Sequence, residues 1–197
     1  MHGIIFKSLK DFVVRDHGHE TWDAVRRAAD LDGRVYLPID TYDDGELIRL
    51  AEAVGDETGT PTPDLLEAFG RVAAGQLLDT YGNVVADDWT TLDVVANAEA
   101  GIHTVLRAHN PDLDPPELVC RREQGEEAGT REEGEASEED EMSEGRVRVV
   151  YRSPRRLCFV AKGIVRGVAD HYGEEVQVTE PTCMHEGADH CELVVTR

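Results

Sequence analysis

The sequence predicts an α+β domain in which helices come first and an antiparallel sheet comes late. Three observations carry that prediction. Apolar residues recur at helical spacing in successive segments up to about residue 109. Period-two alternation begins only with RVRVVY at 146–151 and returns in EEVQVTE (174–180) and CELVVTR (191–197). Between these runs, LCFVAKGIVRGVADHYG (157–173) is again amphipathic, so a helix packs with the strands rather than crossing between parallel ones.

Residues 3–16 place Ile4, Ile5, Leu9, Phe12 and Val13 on one helical face, and Gly18 can end that helix in a left-handed conformation. A second helix is expected over about 20–29, carrying Trp22 and Val25. Asp43 and Glu46 form a D-x-x-E capping box at the start of a helix reaching about Asp56. Thr62-Pro63 reads as an N-cap followed by proline in the first helical position, opening PDLLEAFGRVAAGQLLDTYG, which runs to Gly82. Glycine costs roughly 1 kcal/mol inside a helix. Gly70 and Gly75 therefore imply close packing there, either of a flat or bulky group or of a neighbouring helix.

The next helix is expected from Thr91 to just before Asn110-Pro111, with Leu92, Val95, Ala96, Ile102 and Leu106 as its apolar stripe and Val94 and Val105 less regular. His103 lies beside Ile102 and one turn from Leu106. A histidine so placed needs a hydrogen-bond partner or acts as a ligand. His17, His19, His109 and His171 lack such a setting and read as surface residues.

Length and charge bound the rest. The 197 residues make one domain, divided into an N-terminal helical part (1–60) and a larger α+β part (61–197). Forty-one acidic residues against 20 basic ones give a net charge of −21, and only Lys7, Lys10 and Lys162 are lysine. Such a surface suits a chain kept soluble in concentrated salt, and it argues against nucleic acid or anionic membranes as partners. No apolar run is long enough to span a membrane, and no export signal is evident. Four cysteines in a cytoplasmic chain point to metal binding or reactivity rather than disulfides. Residues 121–145 carry eleven acidic and three basic side chains and almost nothing apolar, so they are expected to be a loosely ordered insertion.

Tyr151, Ser153 and Arg155 in YRSPR share one face if the strand continues through them. A phenol, a hydroxyl and a guanidinium fork on one face suit carboxylates or phosphates. Together with His103 they make the chain resemble the heme nitric oxide/oxygen-binding (H-NOX, HNOB) family, related to the sensor domain of soluble guanylate cyclase. The resemblance also rests on M-x-G-x-I at Met1–Ile5, Trp22, Leu31, L-L-E-A-F-G-R at Leu65–Arg71, P-x-x-x-P-P from Pro111 to Pro116, and G-x-x-x-C at Gly187–Cys191. It covers nearly the whole chain. The acidic insertion is the main departure, at a place where a surface loop tolerates it.

That resemblance implies heme b as cofactor, with His103 as the proximal iron ligand, Tyr151, Ser153 and Arg155 on the propionates, and Pro116 pressing on the macrocycle. Ile5, Leu77, Val160 and Ile164 are the implied distal walls. Oxygen-binding members carry a tyrosine nine residues after the motif tyrosine; here that position is Val160, and its polar partner positions align with Leu9 and Ala73. A wall without donors favours NO, with CO as a second ligand, over O2. Some members also hold zinc on three cysteines and one histidine. Cys158, Cys183 and Cys191 match the spacing, while Glu180 replaces the histidine, leaving Glu180, His185 or His190 as the fourth ligand. Cys120 has no evident role.

The implied function is a cytoplasmic gas sensor rather than an enzyme, since peroxidase or oxygenase chemistry needs distal acid–base groups. No kinase, cyclase or DNA-binding segment fits in the chain. The expected partner is therefore a separate signalling protein such as a histidine kinase, a cyclic-dinucleotide enzyme or a chemotaxis component. The family's switch has NO weaken the iron–His103 bond, release the pressure at Pro116 and shift the N-terminal helices. The alternative is a zinc and thiol redox sensor built on the C-terminal cysteines, with little or no heme.

Overall fold

The structure is a computed structural model and describes residues 1–109, 114–123 and 145–197. Helix α1 (Gly3–Ala28) is a single run bent at Gly18, whose φ of +87° interrupts the helical dihedrals. The two expected N-terminal segments are therefore the two arms of one kinked helix, and glycine makes the kink sterically free. Helix α2 (Asp44–Thr58) is capped by Asp43, which accepts from the Gly45 N–H at 2.9 Å. The predicted box is not closed by Glu46. That carboxylate is instead bound by the Arg34 fork at 3.0 and 3.1 Å and by the Tyr36 hydroxyl at 2.8 Å. Helix α3 (Thr62–Tyr81) starts one residue earlier than expected, with Pro61 at the N-cap position and Thr62 and Pro63 inside the first turn. Proline still costs nothing there, because first-turn N–H groups have no partner within the helix.

The helix expected over 91–109 is broken into three. Helix α4 (Thr91–Ala96) is closed by a full capping box between Thr90 and Asp93. A π-helical turn follows at Ala98–His103, and helix α5 covers Thr104–His109. Asn97 causes the break. Its side-chain amide donates to the Asp93 carbonyl at 2.9 Å, and its own carbonyl takes the Ile102 N–H at five-residue spacing. The helix's end at Asn110-Pro111 and residues 124–144 of the acidic insertion lie outside the described residues.

Four strands, β1 (Glu117–Glu123), β2 (Arg146–Arg152), β3 (Gln177–Thr182) and β4 (Cys191–Thr196), form one antiparallel sheet in the order β1-β2-β4-β3. Strand β1 is a correction, because Arg121–Glu123 read as part of the insertion. Their charges are used within the fold: Arg122 reaches Asp93 at 2.7 Å, and Glu123 accepts from Arg146 and Arg148 of β2 at 2.5 and 2.8 Å. Strand β3 begins three residues later than expected. Glu174 turns away to accept the Thr91 N–H at 2.8 Å and to pair with Arg197.

Helix α6 (Cys158–Tyr172) lies between the two halves of the molecule. On one side Val165 joins Leu92 and Val95 of α4 against Val147, Val149, Leu193 and Val195 of the sheet. On the other, α6 meets α3 at backbone distance. A Cβ on Gly163 would fall inside contact distance of the Glu67 carbonyl oxygen, and one on Gly70 would do so against the Val160 carbonyl. Gly70 thus serves close helix packing, whereas Gly75 faces open space. The N-terminal core of Phe6, Leu9, Trp22, Leu50 and Phe69 continues across residue 60 to Ala73 and Val160.

One chemical change should therefore have opposite effects at two sites. Gly163→Ala forces the helices apart and should cost about 1–3 kcal/mol. Gly75→Ala should be neutral or stabilise by about 0.5–1 kcal/mol. Urea unfolding followed by circular dichroism measures both, and equal effects would contradict the close contact.

Candidate functional site

A cavity of about 320 Å³ lies between the start of α1, α3 and α6 on one side and the π-helical turn, Pro115-Pro116 and β2 on the other. Ile4 and Ile5, Leu77 and Leu78, and Val160 and Ile164 line it from the three helices, and Pro116 and Leu118 from the far side. Its wall is chiefly hydrocarbon.

His103 joins the wall from the π-helical turn, with its side chain 16% exposed. Its Nδ1 lies 3.1 Å from Glu99 Oε2, and the other oxygen of Glu99 accepts from Arg107 Nη1 at 2.6 Å. Burial pushes the pKa of His103 down and Glu99 pulls against it; the result is below the ordinary histidine value. The Glu99 carboxylate at Nδ1 orients the ring, and the backbone carbonyl of Pro116 also interacts with the imidazole. Metal-binding histidines are commonly oriented in this way.

At the rim, β2 ends at Arg152, and residues 153–156 form a turn rather than a continued strand. Tyr151 and Arg155 line the cavity, while Ser153 lines an adjoining groove with Arg107, Arg152 and Arg156. Ser153 supports the other two from behind: its Oγ accepts the Arg155 N–H at 3.3 Å and faces the Tyr151 hydroxyl. Arg155 donates to Asp44 at 2.5 Å and to Asp114 at 2.9 Å. Asp44 also lies 2.8 Å from the Met1 ammonium. The single face expected from period-two spacing is therefore not formed: the strand ends before Ser153, and the turn that follows brings Arg155 to the cavity beside Tyr151.

Leu9 and Ala73 are fully buried but lie behind the cavity wall, where Ala74 takes the place expected for Ala73. Four polar wall residues have no role in the sequence reading: His2, Tyr81, Asp114 and Cys120. The Nδ1 of His2 is buried without a hydrogen-bond partner. Burial lowers its pKa, and the neighbouring ammonium adds to the effect. Burial raises the pKa of Tyr81 and of Cys120. Position relative to Ile5, which is one helical turn along from His2, is the signal that could have found the histidine.

A second cluster lies at the other end of Tyr151. Ligand atoms of Cys158, Glu180, Cys183 and Cys191 all fall within 4.8 Å of one another. All three cysteines are buried free thiols, with Cys183 Sγ 3.9 Å from that of Cys158 and 3.8 Å from that of Cys191. Tetrahedral zinc with bonds of about 2.3 Å holds its sulfurs about 3.8 Å apart, so the spacing fits. Lys162 binds Glu180 through Oε2 at 2.8 Å, and Glu180 Oε1 is buried without a hydrogen-bond partner beside the thiol cluster. Burial pushes the Cys158 and Cys191 thiols up. His185 is committed to the Arg156 carbonyl at 2.8 Å and His190 to Asp189 at 2.5 Å, and neither joins the cluster. Of the three fourth-ligand alternatives, the structure brings only Glu180 to the thiols.

Helices closed over a four-stranded antiparallel sheet, around an apolar cavity with one oriented imidazole, define the H-NOX architecture. The Haem-NO-binding family model matches residues 2–129, and a V-4-R domain model matches 146–197. The chain belongs to the Haem-NO-binding family. Among solved structures it is similar to a mutant H-NOX protein from S. oneidensis in the Fe(II) state, with 28% identity and a TM-score of 0.84 over 100% of this chain and 95% of that one. The S. oneidensis protein in the Fe(II)NO state gives 28% and 0.82, covering 99% and 98%. Unliganded Fe(II) H-NOX from K. algicida gives 22% and 0.79, covering 100% and 96%, and at that identity the likeness concerns the fold.

Proposed function

We propose that the chain is a heme-based gas sensor tuned to nitric oxide, which reports its ligation state to a separate signalling protein and performs no catalysis. The observation that carries this reading is His103, a half-buried imidazole with Nδ1 facing Glu99, set in a chiefly apolar wall. His103 would hold heme b through Nε2. Tyr151, Arg155 and, from behind, Ser153 would hold the two propionates. The bound group supplies a ferrous iron able to take NO or CO. The S. oneidensis relative solved in Fe(II)NO and Fe(II)CO states supports that ligand class.

Arg155 is the residue through which the site reaches the N-terminal body, residues 1–60. Its guanidinium binds Asp44 at the start of α2, and Asp44 in turn holds the Met1 ammonium. A propionate competes for the same fork. One charge-assisted hydrogen bond is worth about 1.5–3 kcal/mol, or roughly one to two powers of ten in a two-state population. Movement of the propionates can therefore be read at α2 without any change in the core.

The cysteine cluster is proposed as a zinc site with Glu180 as fourth ligand, structural in role and separate from the heme. The redox reading, in which these thiols sense and heme is absent, draws on the same cluster. We also propose a cytoplasmic, salt-adapted setting, from the charge of −21 and the three lysines. No helix among the described residues is long and apolar enough to cross a membrane.

His103→Ala should lose heme or retain it only with added imidazole. An unchanged ferrous spectrum and heme content would remove His103 from the site. The ferrous protein should bind NO and CO and form no stable oxy complex in air, because Ile5, Leu77, Val160 and Ile164 donate nothing to a partly charged ligand. Val160→Tyr should raise O2 affinity by about one to two powers of ten. A stable oxy spectrum in the unmodified chain would overturn the expected preference for NO and direct attention to the polar wall groups His2 and Tyr81. Protein purified without added metal should carry about one zinc per chain, and Glu180→Ala should surrender it faster to a chelator. Absence of zinc, with thiols that respond to mild oxidant, favours the redox reading.

A further inference from the structure

Four large apolar side chains are exposed among the described residues, and three sit on the loop between α1 and α2: Val35 at 70%, Leu37 at 51% and Ile39 at 80%. Between the first two, Tyr36 turns inward and stacks on Phe6 with ring centroids 4.4 Å apart. The loop is therefore held in place, and its outward side chains are displayed rather than merely loose.

The loop is also tied to the start of α1. The Gly3 N–H donates to the Asp40 carbonyl at 2.7 Å, and the Tyr42 N–H donates to that of Met1 at 2.9 Å. The Met1 ammonium donates to the Tyr42 carbonyl at 2.5 Å, and the Leu37 N–H to the Tyr42 hydroxyl at 2.6 Å. Met1, His2, Ile4 and Ile5 line the cavity from the same few residues. The displayed edge thus lies one layer from the cavity.

Its surroundings are acidic. Asp30, Asp32, Asp40 and Asp43 are exposed around it, and the cation within the loop, Arg34, is engaged by Glu46. Contiguous apolar side chains on a charged surface mark interaction sites. A second copy of the chain would bring −21 against −21, and an anionic membrane would meet the same repulsion.

We propose that the Val35–Leu37–Ile39 edge is the output surface of the chain, and that it docks a separate protein whose face offers an apolar pocket bordered by lysine or arginine. This rests on the reading of the chain as a sensor that reports to a separate protein. The apolar side chains supply affinity, and the aspartates supply steering and selection of the partner.

The test uses the full heme-loaded chain and, as probe, an amphipathic helical peptide with a leucine face flanked by lysines, titrated by calorimetry. The variant with Val35→Ser, Leu37→Ser and Ile39→Ser should bind it at least about tenfold more weakly, with unchanged heme absorption and Tm. Asp30→Asn with Asp32→Asn and Asp40→Asn should remove most of the salt dependence. Affinity should differ about fivefold or more between the unliganded and NO-bound ferrous chain. Equal binding by the serine variant, or equal binding in the two ligation states, overturns the proposal. A dimer lost in the serine variant on sedimentation, or binding to zwitterionic vesicles lost in it, also overturns it, by assigning the edge to a second copy or to lipid. If the chain takes up no heme, the sensor reading fails, while the comparison of peptide binding with the serine variant still decides whether the edge docks a protein.

Discussion

Three glycines let α6 lie against α3 at backbone distance, and that contact sets both the helical wall of the cavity and the position of Cys158. Gly70 on α3 leaves room for the Val160 carbonyl, and Gly163 and Gly167 on α6 leave room for the carbonyls of Glu67 and Arg71. With the helices locked at this separation, Val160 and Ile164 form the cavity wall, and Cys158 at the head of α6 enters the thiol cluster. The opposite face of α6 rests on the sheet through Val165. A larger side chain at the crossing would move the cavity wall and the thiol cluster together.

What could be read from the sequence follows from how local each signal is. The amphipathic segments and the bend at Gly18 depend on neighbours in the chain, so periodicity and a single glycine reveal them. His103 is legible as a ligand candidate because the resemblance supplies its context, but the π-helical turn that aims it is not. That turn depends on one side-chain amide, from Asn97, capturing a carbonyl, which no helical period encodes. Strand β1 is hidden for a related reason. Arg121, Arg122 and Glu123 look like the start of an acidic insertion until β2 and α4 supply their partners. The distal wall shows the same limit: Ala73 and Ala74 are neighbours, and only the rotation of α3 decides which of them faces the cavity.

The excess of acid makes each placed cation informative. Arg155 is 9% exposed at its side chain and holds carboxylates on two separate segments, Asp44 and Asp114. Burying a guanidinium carries a desolvation penalty that only good partners offset. Asp114 is 80% exposed and can leave for water at little cost, whereas Asp44 is fixed by the Met1 ammonium. An incoming carboxylate should therefore displace Asp114 first and leave the tie to α2 in place, so that the N-terminal body stays coupled to the cavity rim.

The cavity and the thiol cluster also share a structural element. Tyr151 on β2 pairs in register with Cys191 on β4, and both side chains are buried in one cluster with Cys158 and Cys183. Whatever fixes Cys191 also fixes the last pair of that ladder, immediately before the strand gives way to the turn that carries Ser153 and Arg155. Beyond that point the β2–β4 ladder no longer holds the rim, and β3 meets β4 through an irregular register between Thr179 and Thr182. An ion on Cys158, Glu180, Cys183 and Cys191 would cross-link α6, β3 and β4 at the corner of the sheet where backbone pairing is weakest. Its contribution would then be geometric: it would keep the Tyr151 hydroxyl and the Arg155 turn at a constant distance from the cavity wall on α6, so that a small displacement at the rim would pass to α2 instead of being absorbed in the sheet.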